Sequence, residues 1–168
     1  MISVEQYLST SYSPECDYVD GEVVELNVGE RDHSEAKSEI AVYLLERRKQ
    51  LGIYVAINWA MQVSPTRFRV PDVTVVLGPS PNAPILKTPP FICVEVLSPD
   101  DSVSGIQEKI GDYLNFGVKY VWVVDPRLQR GWIVTKEGTV EAPDDVLTTT
   151  NPEITVPLSD LYARIEDL

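Results

Sequence analysis

The segment from Arg69 to Gly117 constrains the fold more than any other part of the chain. It contains RVPDVTVVL, then FICVEVLSPDDS, then GIQEKIGDYLNFG, which predicts two apolar strands followed by a helix. Each element carries one charged residue that an apolar core should not contain, namely Asp72, Glu95 or Lys109. Burying such a charge is costly unless it meets an opposite charge, a hydrogen-bond network or a solvated cleft. The segment therefore predicts a central sheet with a polar site built into it.

Both strands are apolar on both faces. Side chains alternate between the faces of a strand, so Asp72 is predicted to share a face with Val70 and Thr74. By the same rule Glu95 shares a face with Cys93. Strands that are apolar on both faces are central strands with a layer on each side. Two carboxylates in adjacent central strands suggest that they share one cation.

The helix places Lys109 inside its apolar sector. At about 100° per residue, Ile106, Ile110, Tyr113 and Leu114 form one stripe, and Lys109 falls within the same sector. One interpretation is a lysine whose stem packs on the core while its ammonium reaches solvent. The other is an ammonium that faces the two strand carboxylates, as perturbed charges at functional sites do.

Four motifs follow one another along the chain: V-P-D, V-E-V-L-S-P, E-K-I-x-x-Y and G-V-x-Y-V-W-V-V-D-P. In this order they resemble the Uma-type restriction-endonuclease family, a branch of the PD-(D/E)XK nuclease superfamily. The resemblance runs from about Val4 to about Trp132. Together with the order of the elements, it implies an α/β fold of restriction-endonuclease type, in which helices flank a mixed β-sheet on both faces. With 168 residues, the chain suits a single domain, divided into an N-terminal helix and hairpin (1–30), a core (31–135) and a C-terminal hairpin and helix (136–168).

The resemblance also implies which residues form the site. The superfamily places a lysine two residues after the acidic strand residue, where this chain has Leu97. In the Uma-type family that lysine comes from the following helix, at the position of Lys109. Family members commonly carry an aspartate four residues before it, where this chain has Gly105. The family also has a histidine at the start of the preceding long helix, which His33 matches.

His33 is the only histidine in the chain. Asp32 and Glu35 have the spacing of an N-cap and its capping-box partner, which predicts a helix that runs to about Leu51 and stops at Gly52. In projection, His33 lies in the middle of the apolar stripe of this helix, whereas Glu35 points away from it. His33 could therefore reach the metal site or position a water or a phosphate. The alternative is a structural histidine whose ring nitrogens find hydrogen-bond partners at the end of the helix.

These residues predict a metal-dependent nuclease. Asp72, Glu95 and the backbone carbonyl of Val96 offer oxygen ligands of the kind that Mg²⁺ or Mn²⁺ prefers. Lys109 is expected to orient or deprotonate the attacking water, or to stabilise the pentavalent oxyanion. His33 completes the predicted catalytic set, and the predicted reaction is hydrolysis of a DNA phosphodiester. Two alternatives stay open: a degenerate nuclease fold that acts as a binding or assembly module, and a metal-dependent phosphoesterase that acts on RNA or nucleotides.

The net charge of -12 means that the surface as a whole repels nucleic acid. A DNA substrate would then need a local basic rim, metal bridging or a partner. The candidates for such a rim are Arg67, Arg69, Lys119, Arg127 and Arg130. The alternative is that these are scattered surface charges.

The remaining elements follow from local signals. Ser3 with Gln6 matches a capping box before a short helix, and Asp20-Gly21 forms the turn of a hairpin over 17–26. In that hairpin Asp17 and Glu22 are assigned turn and edge roles. A strand is predicted over 54–63, another over 119–124, a hairpin from 131–135 and 139–142, and a closing helix over 157–162 that could form a dimer contact.

The sequence also bears on where the protein works. No apolar run approaches the roughly 18 residues of a membrane span, and the N-terminus MISVEQYLST lacks a basic stretch followed by an apolar one. We therefore expect a cytoplasmic protein with no membrane partner. Cys16 and Cys93 lack a metal-ligand spacing and are expected to remain unpaired in a reducing compartment.

Overall fold

A computed structural model describes residues 1–26 and 30–167. The predicted boundary near residue 30 therefore adjoins residues 27–29, which lie outside the described residues. The α-helices of the described part are α1 (Val4–Leu8), α2 (Arg31–Glu46), α3 (Arg48–Leu51), α4 (Val103–Phe116) and α5 (Leu158–Glu166). Its strands are β1 (Cys16–Val19), β2 (Glu22–Glu25), β3 (Ile53–Ile57), β4 (Met61–Ser64), β5 (Arg67–Arg69), β6 (Val73–Leu77), β7 (Ile92–Val96), β8 (Tyr120–Asp125), β9 (Arg130–Thr135), β10 (Gly138–Glu141), β11 (Val146–Thr148) and β12 (Thr155–Pro157).

A six-stranded mixed sheet lies at the centre of the fold, in the order β10-β9-β8-β7-β6-β3. Strands β7 and β8 run parallel, and the other neighbours run antiparallel. A parallel pair needs a crossover connection, which α4 supplies here. Every residue of β7 is buried, as expected for a strand that is apolar on both faces.

Both faces of this sheet are covered. Helices α2 and α5 pack on one face, over a core that includes Leu44, Ile92 and Trp122. Helix α4 and strand β4 cover the other face, over a core that includes Met61 and Tyr113. Strand β4 belongs to a four-stranded antiparallel sheet in the order β2-β1-β5-β4. The predicted α/β fold, with helices on both faces of a mixed sheet, is confirmed.

The first predicted central strand is wrong at its N-terminal end. Strand β5 ends at Arg69 and belongs to the four-stranded sheet, whereas β6 begins at Val73 in the central sheet. The link between them contains Pro71, which has no backbone N–H to donate to a ladder. Asp72 consequently lies in this link, immediately before β6, and not inside a strand.

Two further boundaries differ from the sequence predictions. The strand expected over 54–63 is divided into β3 and β4 in different sheets, because Asn58 adopts a left-handed backbone conformation with φ of 52°. Helix α2 begins at Arg31 after an uncapped Glu30, and Glu35 instead contacts Arg31 at 2.6 Å. The helix is also interrupted at Arg47 before α3 continues to Gly52.

Other local predictions are confirmed. Helix α1 carries the predicted capping box, and Asp20 and Gly21 connect β1 to β2. Both cysteines are free and buried. Helix α5 extends beyond the predicted closing helix, and the β11–β12 hairpin was not predicted. None of the helices in the described part of the chain combines the length and the apolar character that crossing a membrane requires.

Candidate active site

The side chains of Asp72, Glu95, Lys109 and His33 line one cavity of about 30 Å³. Asp72 precedes β6 and Glu95 lies on β7, which is the antiparallel neighbour of β6. Lys109 comes from α4 and His33 from the first turn of α2. A water needs roughly 10–15 Å³ of such space, so the cavity has room for a water or an ion. We refer to these four residues as the candidate centre.

Asp72 is an ionised carboxylate held from several directions. Its Oδ2 accepts a hydrogen bond from Val96 N–H at 2.8 Å and lies 3.5 Å from His33 Nε2. Its Oδ1 lies 3.6 Å from Lys37 Nζ. Burial opposes ionisation, but the contacts with His33, Val96 N–H and Lys37 together lower the pKa of Asp72 below its ordinary value.

Glu95 differs from Asp72 because it favours the protonated form. Its side chain is buried, accepts a short hydrogen bond from Tyr113 Oη and has Oε2 3.9 Å from Lys109 Nζ. Burial, together with the negative charge of Asp72, raises the pKa of Glu95 to about 8 despite the nearby ammonium. The two carboxyl groups of the candidate centre therefore occupy different protonation states at neutral pH.

Lys109 directs its ammonium towards buried carboxylates instead of bulk solvent. Its Nζ lies 3.9 Å from Glu95 Oε2 and 3.7 Å from Asp17 Oδ2. Burial opposes protonation, but Glu95, Asp17 and Asp72 raise the pKa of Lys109 above its ordinary value. The geometry thus matches the second of the two sequence interpretations, in which the lysine faces the strand carboxylates.

His33 lies where the helical projection placed it. It is buried on the face of α2 that also carries Ala36 and Ile40. Glu35 points elsewhere and pairs with Arg31. His33 is thus held between the core and Asp72, and it contributes to the ionisation of that carboxylate.

Asp17 does not have the turn role predicted for it. Its side chain is 1% exposed, and its Oδ1 accepts a hydrogen bond from Val70 N–H at 2.9 Å. Its Oδ2 accepts one from Arg69 at 3.1 Å. Because these contacts join residues that are far apart in the sequence, no local pattern identifies them.

Sequence reasoning missed three further residues that line the cavity or contact its carboxyl groups. Lys37 lies one turn after His33 on α2, and that spacing is a signal that could have found it. Tyr113 lies one turn after Lys109 and donates to Glu95, but it was read only as a core residue. Asp101 lines the cavity and accepts a hydrogen bond from Ser98 N–H at 2.8 Å.

Arg67 and Arg69 do not form the basic rim that was considered. Arg69 is buried and contacts Asp112 at 2.7 Å in addition to Asp17, while Arg67 contacts Asp20 at 2.7 Å and Asp112 at 3.0 Å. We refer to these residues as the arginine cluster: Asp17, Asp20, Arg67, Arg69, Glu108 and Asp112. Of the other arginines proposed for the rim, Arg127 follows β8 and lies 3.6 Å from Asp125. Arg130 lies on β9, next to the edge strand β10, and pairs with Glu141 at 2.6 Å.

The donor set suits a hard cation held largely by oxygen. Asp72 and Glu95 could supply carboxylate oxygens, and Val96, which also lines the cavity, could supply its carbonyl. Among the described residues, no group of three or more His, Cys, Asp or Glu side chains is arranged to hold a metal. Water and substrate would therefore have to complete the coordination of such an ion, as is usual for Mg²⁺.

Comparison with known proteins places the chain in a family. A solved structure described as a "putative nuclease belonging to DUF820", from Anabaena variabilis, superimposes with a TM-score of 0.82 and 21% sequence identity, covering 97% of this chain and 98% of that chain. At this identity the match shows the fold. No curated protein sequence matches the chain. The model of the Uma2 family, described as "Putative restriction endonuclease", matches residues 4–160. The chain therefore belongs to the Uma2 family.

Proposed function

We propose that this protein is a metal-dependent endonuclease that hydrolyses DNA phosphodiester bonds. The observation that carries the proposal is the convergence of Asp72, Glu95, Lys109 and His33 on one small cavity. The carboxyl groups come from the residue that precedes β6 and from the neighbouring strand β7, and their pKa values differ because burial raises that of Glu95, whereas His33, Val96 N–H and Lys37 lower that of Asp72 against the effect of burial. The description of the Uma2 family supports nucleic acid as the substrate class.

We assign a divalent cation to the two carboxyl groups. Burial and the negative charge of Asp72 raise the pKa of Glu95 to about 8, and a divalent cation held by these groups would favour the ionised form of Glu95. When bound, Mg²⁺ or Mn²⁺ would supply Lewis-acid polarisation of the phosphate and a more acidic water. We assign Asp72, Glu95 and the carbonyl of Val96 to hold that ion.

Lys109 is assigned to act on the substrate, and His33 and Tyr113 to position the two carboxyl groups. Lys109 carries a proton and a positive charge beside Glu95, so it can hold the attacking water or stabilise charge that develops on the phosphate. His33 keeps Asp72 ionised, and Tyr113 fixes the orientation of Glu95 through its hydroxyl. None of these steps requires a covalent nucleophile from the chain.

One observation favours a second candidate function, that of a catalytically degenerate binding module. The family commonly has an aspartate where this chain has Gly105. A Cβ atom at this position would lie 2.8 Å from Ser102 Oγ, which accepts the N-cap hydrogen bond of α4 from Gly105 N–H. The chain thus lacks the acidic side chain that the family resemblance implies at this position, and catalysis would depend on the four residues of the candidate centre.

The direct test compares metal binding with cleavage in matched variants. Calorimetry with Mg²⁺ and Mn²⁺ is expected to show binding by the wild type and none by Asp72→Asn or Glu95→Gln. Cleavage of a supercoiled plasmid should slow by at least about 100-fold in both variants. Glu108→Gln is the matched control, because this half-exposed carboxylate contacts Arg67 and not the cavity.

Each outcome separates the candidates. Metal binding and cleavage that disappear together in both variants, and persist in Glu108→Gln, support the nuclease. A wild type that neither binds metal nor cuts plasmid in either ion favours the binding module. Cleavage of RNA or small phosphodiesters without cleavage of plasmid would favour the phosphoesterase.

A further inference from the structure

Two grooves adjoin the candidate centre, and the first is strongly acidic. It has a volume of about 420 Å³ and runs between the β1–β2 hairpin and the start of α4. Its ionisable side chains are those of Asp17, Glu22, Glu25, Asp100, Asp101 and Glu108, against Arg69 and Lys109. A polyanionic strand is repelled by this excess of carboxylates. The acidic groove is therefore a poor path for a nucleic acid that leaves the cavity.

The second groove, which we call the aromatic groove, has a different character. It has a volume of about 480 Å³ and lies between the end of β3 and residues 80–84. Tyr54, Ile57, Asn58, Trp59 and Asn82 contribute to its walls, and none of its lining side chains in the described part of the chain is charged. Tyr54 is 37% exposed and Ile57 55% exposed. An uncharged groove that carries aromatic rings adds no local repulsion towards a polyanion on an otherwise acidic protein.

The aromatic groove is held in place before any ligand arrives. The indole of Trp59 donates a hydrogen bond from Nε1 to the carbonyl of Ala83 at 3.1 Å. Its ring meets Tyr54 edge to face, with 5.8 Å between the centroids and 74° between the planes. The segment that forms the opposite wall is tied down where Leu86 N–H donates to Ala60 at 2.9 Å. Such preorganisation lowers the entropic cost of binding.

One ammonium group joins the aromatic groove to the candidate centre. Lys37 Nζ lies 2.6 Å from Asn58 Oδ1, in the groove, and 3.6 Å from Asp72 Oδ1, in the cavity. A phosphate that contacts Lys37 would therefore lie between the reacting position and the groove. The base attached to that phosphate would enter the groove beside Asn58, and Tyr54 lines the same groove.

We propose that the aromatic groove binds an unpaired nucleobase of the substrate, stacked on Tyr54, with the neighbouring phosphate at Lys37. This inference rests on the proposed function and adds a substrate class to it, namely single-stranded or locally unpaired nucleic acid. A base inside a duplex has both faces covered by its neighbours and cannot stack on Tyr54 unless it is flipped out. Base–aromatic stacking is the usual means of holding single strands without reading sequence.

The test measures binding of labelled oligonucleotides by fluorescence anisotropy. A single-stranded dodecamer and its blunt duplex are titrated against Glu95→Gln protein, which leaves the strands uncut, and against the same protein with Tyr54→Ala. Stacking on an aromatic ring corresponds to about 5- to 150-fold in affinity. We expect Tyr54→Ala to weaken single-strand binding within that range and to leave duplex binding within about twofold. Tyr54→Phe should bind like the parent because it retains the ring.

A second variant tests the groove without removing the ring. Ile57→Asp places a carboxylate in the wall of the aromatic groove and should weaken single-strand binding. Val140→Asp is the matched control, because it places a carboxylate on β10, at the opposite edge of the sheet, at a residue of similar exposure, 56% against 55% for Ile57. If the wild type cleaves, and neither Tyr54→Ala nor Ile57→Asp changes the affinity for the single strand, the inference is overturned and the proposed function stands. A wild type that neither cleaves nor binds any strand overturns both.

Discussion

The arginine cluster and the candidate centre are neighbouring groups of buried charge that differ in how closely the charges meet. In the arginine cluster, Arg69 lies 2.7 Å from Asp112 and 3.1 Å from Asp17, which are hydrogen-bonding distances. In the candidate centre, the nitrogen of Lys109 lies 3.9 Å from Glu95. The first arrangement pairs its charges through hydrogen bonds from Arg69 Nε to Asp112 and from Arg69 Nη1 to Asp17, whereas the second holds its ammonium beyond hydrogen-bonding distance of Glu95 at the wall of a cavity.

The difference in distance indicates that the arginine cluster stabilises the fold, whereas the candidate centre is suited to bind a cation and a substrate. Direct pairing holds the guanidinium of Arg69 in its charged form, and the carboxylates that it contacts keep its pKa above the ordinary value against the effect of burial. Glu95 has no such contact with a cation and is left with a pKa of about 8. A site that must accept a cation and a substrate needs groups that are not yet satisfied by the protein. Variants in the two groups should therefore affect different properties.

Lys109→Met is expected to have the largest effect on activity. If Lys109 holds the attacking water or the developing charge, its loss should slow plasmid cleavage by about 10²- to 10⁴-fold. The free energy of unfolding should change little, because Glu95 already favours the protonated form at neutral pH and is not left as an uncompensated charge when the ammonium is removed. Cleavage rates and urea denaturation of the same preparation check both statements. If Lys109→Met unfolds at a lower urea concentration than the wild type but cleaves plasmid at the wild-type rate, Lys109 has a structural role and not a catalytic one.

Arg69→Met is expected to have the largest effect on stability. Removing one partner of a buried ion pair leaves uncompensated charge and typically costs about 3–5 kcal/mol of the free energy of unfolding. Asp112 would keep Arg67 at 3.0 Å, whereas Asp17 would keep only Lys109 at 3.7 Å, so we expect the loss to come mainly from the more deeply buried Asp17. Urea denaturation measures the loss, with Lys109→Met as the reference of similar size change. A loss below about 1 kcal/mol would mean that water already screens this cluster.

The sequence predicted the contents of the candidate centre better than its surroundings. Periodicity identifies the face of an element on which a residue lies, and this was sufficient to place Lys109 and His33 towards the cavity. It also identified β7 as a buried strand that carries Glu95. The family resemblance selected the same residues from the order of the motifs, and the family itself is confirmed.

Periodicity could not show where the chain changes from one sheet to another. Pro71 lies in such a link between two sheets, and Asp72 therefore lies outside the strand that the alternation predicted for it. The role of Asp17 depends on the same change, because its carboxylate accepts the backbone N–H of Val70 from a distant part of the chain. This contact follows from the pairing of β1 with β5, and no single stretch of sequence contains both partners.

The pKa of Glu95 predicts a pH dependence of stability that Glu95→Gln should remove. Between the ordinary value of 4.5 and about 8, the folded form holds a proton that the unfolded form has lost. Unfolding therefore releases a proton, and the free energy of unfolding falls as the pH rises, by up to about 1.4 kcal/mol per unit. Urea denaturation between about pH 5 and 7.5, with EDTA present, gives this slope. Parallel curves for wild type and Glu95→Gln would show that Glu95 is ionised in the folded protein.

Arg67→Gln should have the smallest effect on the free energy of unfolding. It tests whether the loss of stability in the arginine cluster depends on the exposure of the arginine or on how closely it is paired. Arg67 makes contacts as short as those of Arg69, at 2.7 Å to Asp20 and 3.0 Å to Asp112, but its side chain is 26% exposed against 5% for Arg69. Water can solvate the partners of Arg67 after its removal, so the loss in the free energy of unfolding should stay at or below about 1 kcal/mol. The loss should also shrink at about 1 M salt, where charges are screened beyond about 3 Å. A salt-independent loss as large as that of Arg69→Met would show that the whole cluster, and not Arg69 alone, holds α4 against the four-stranded sheet.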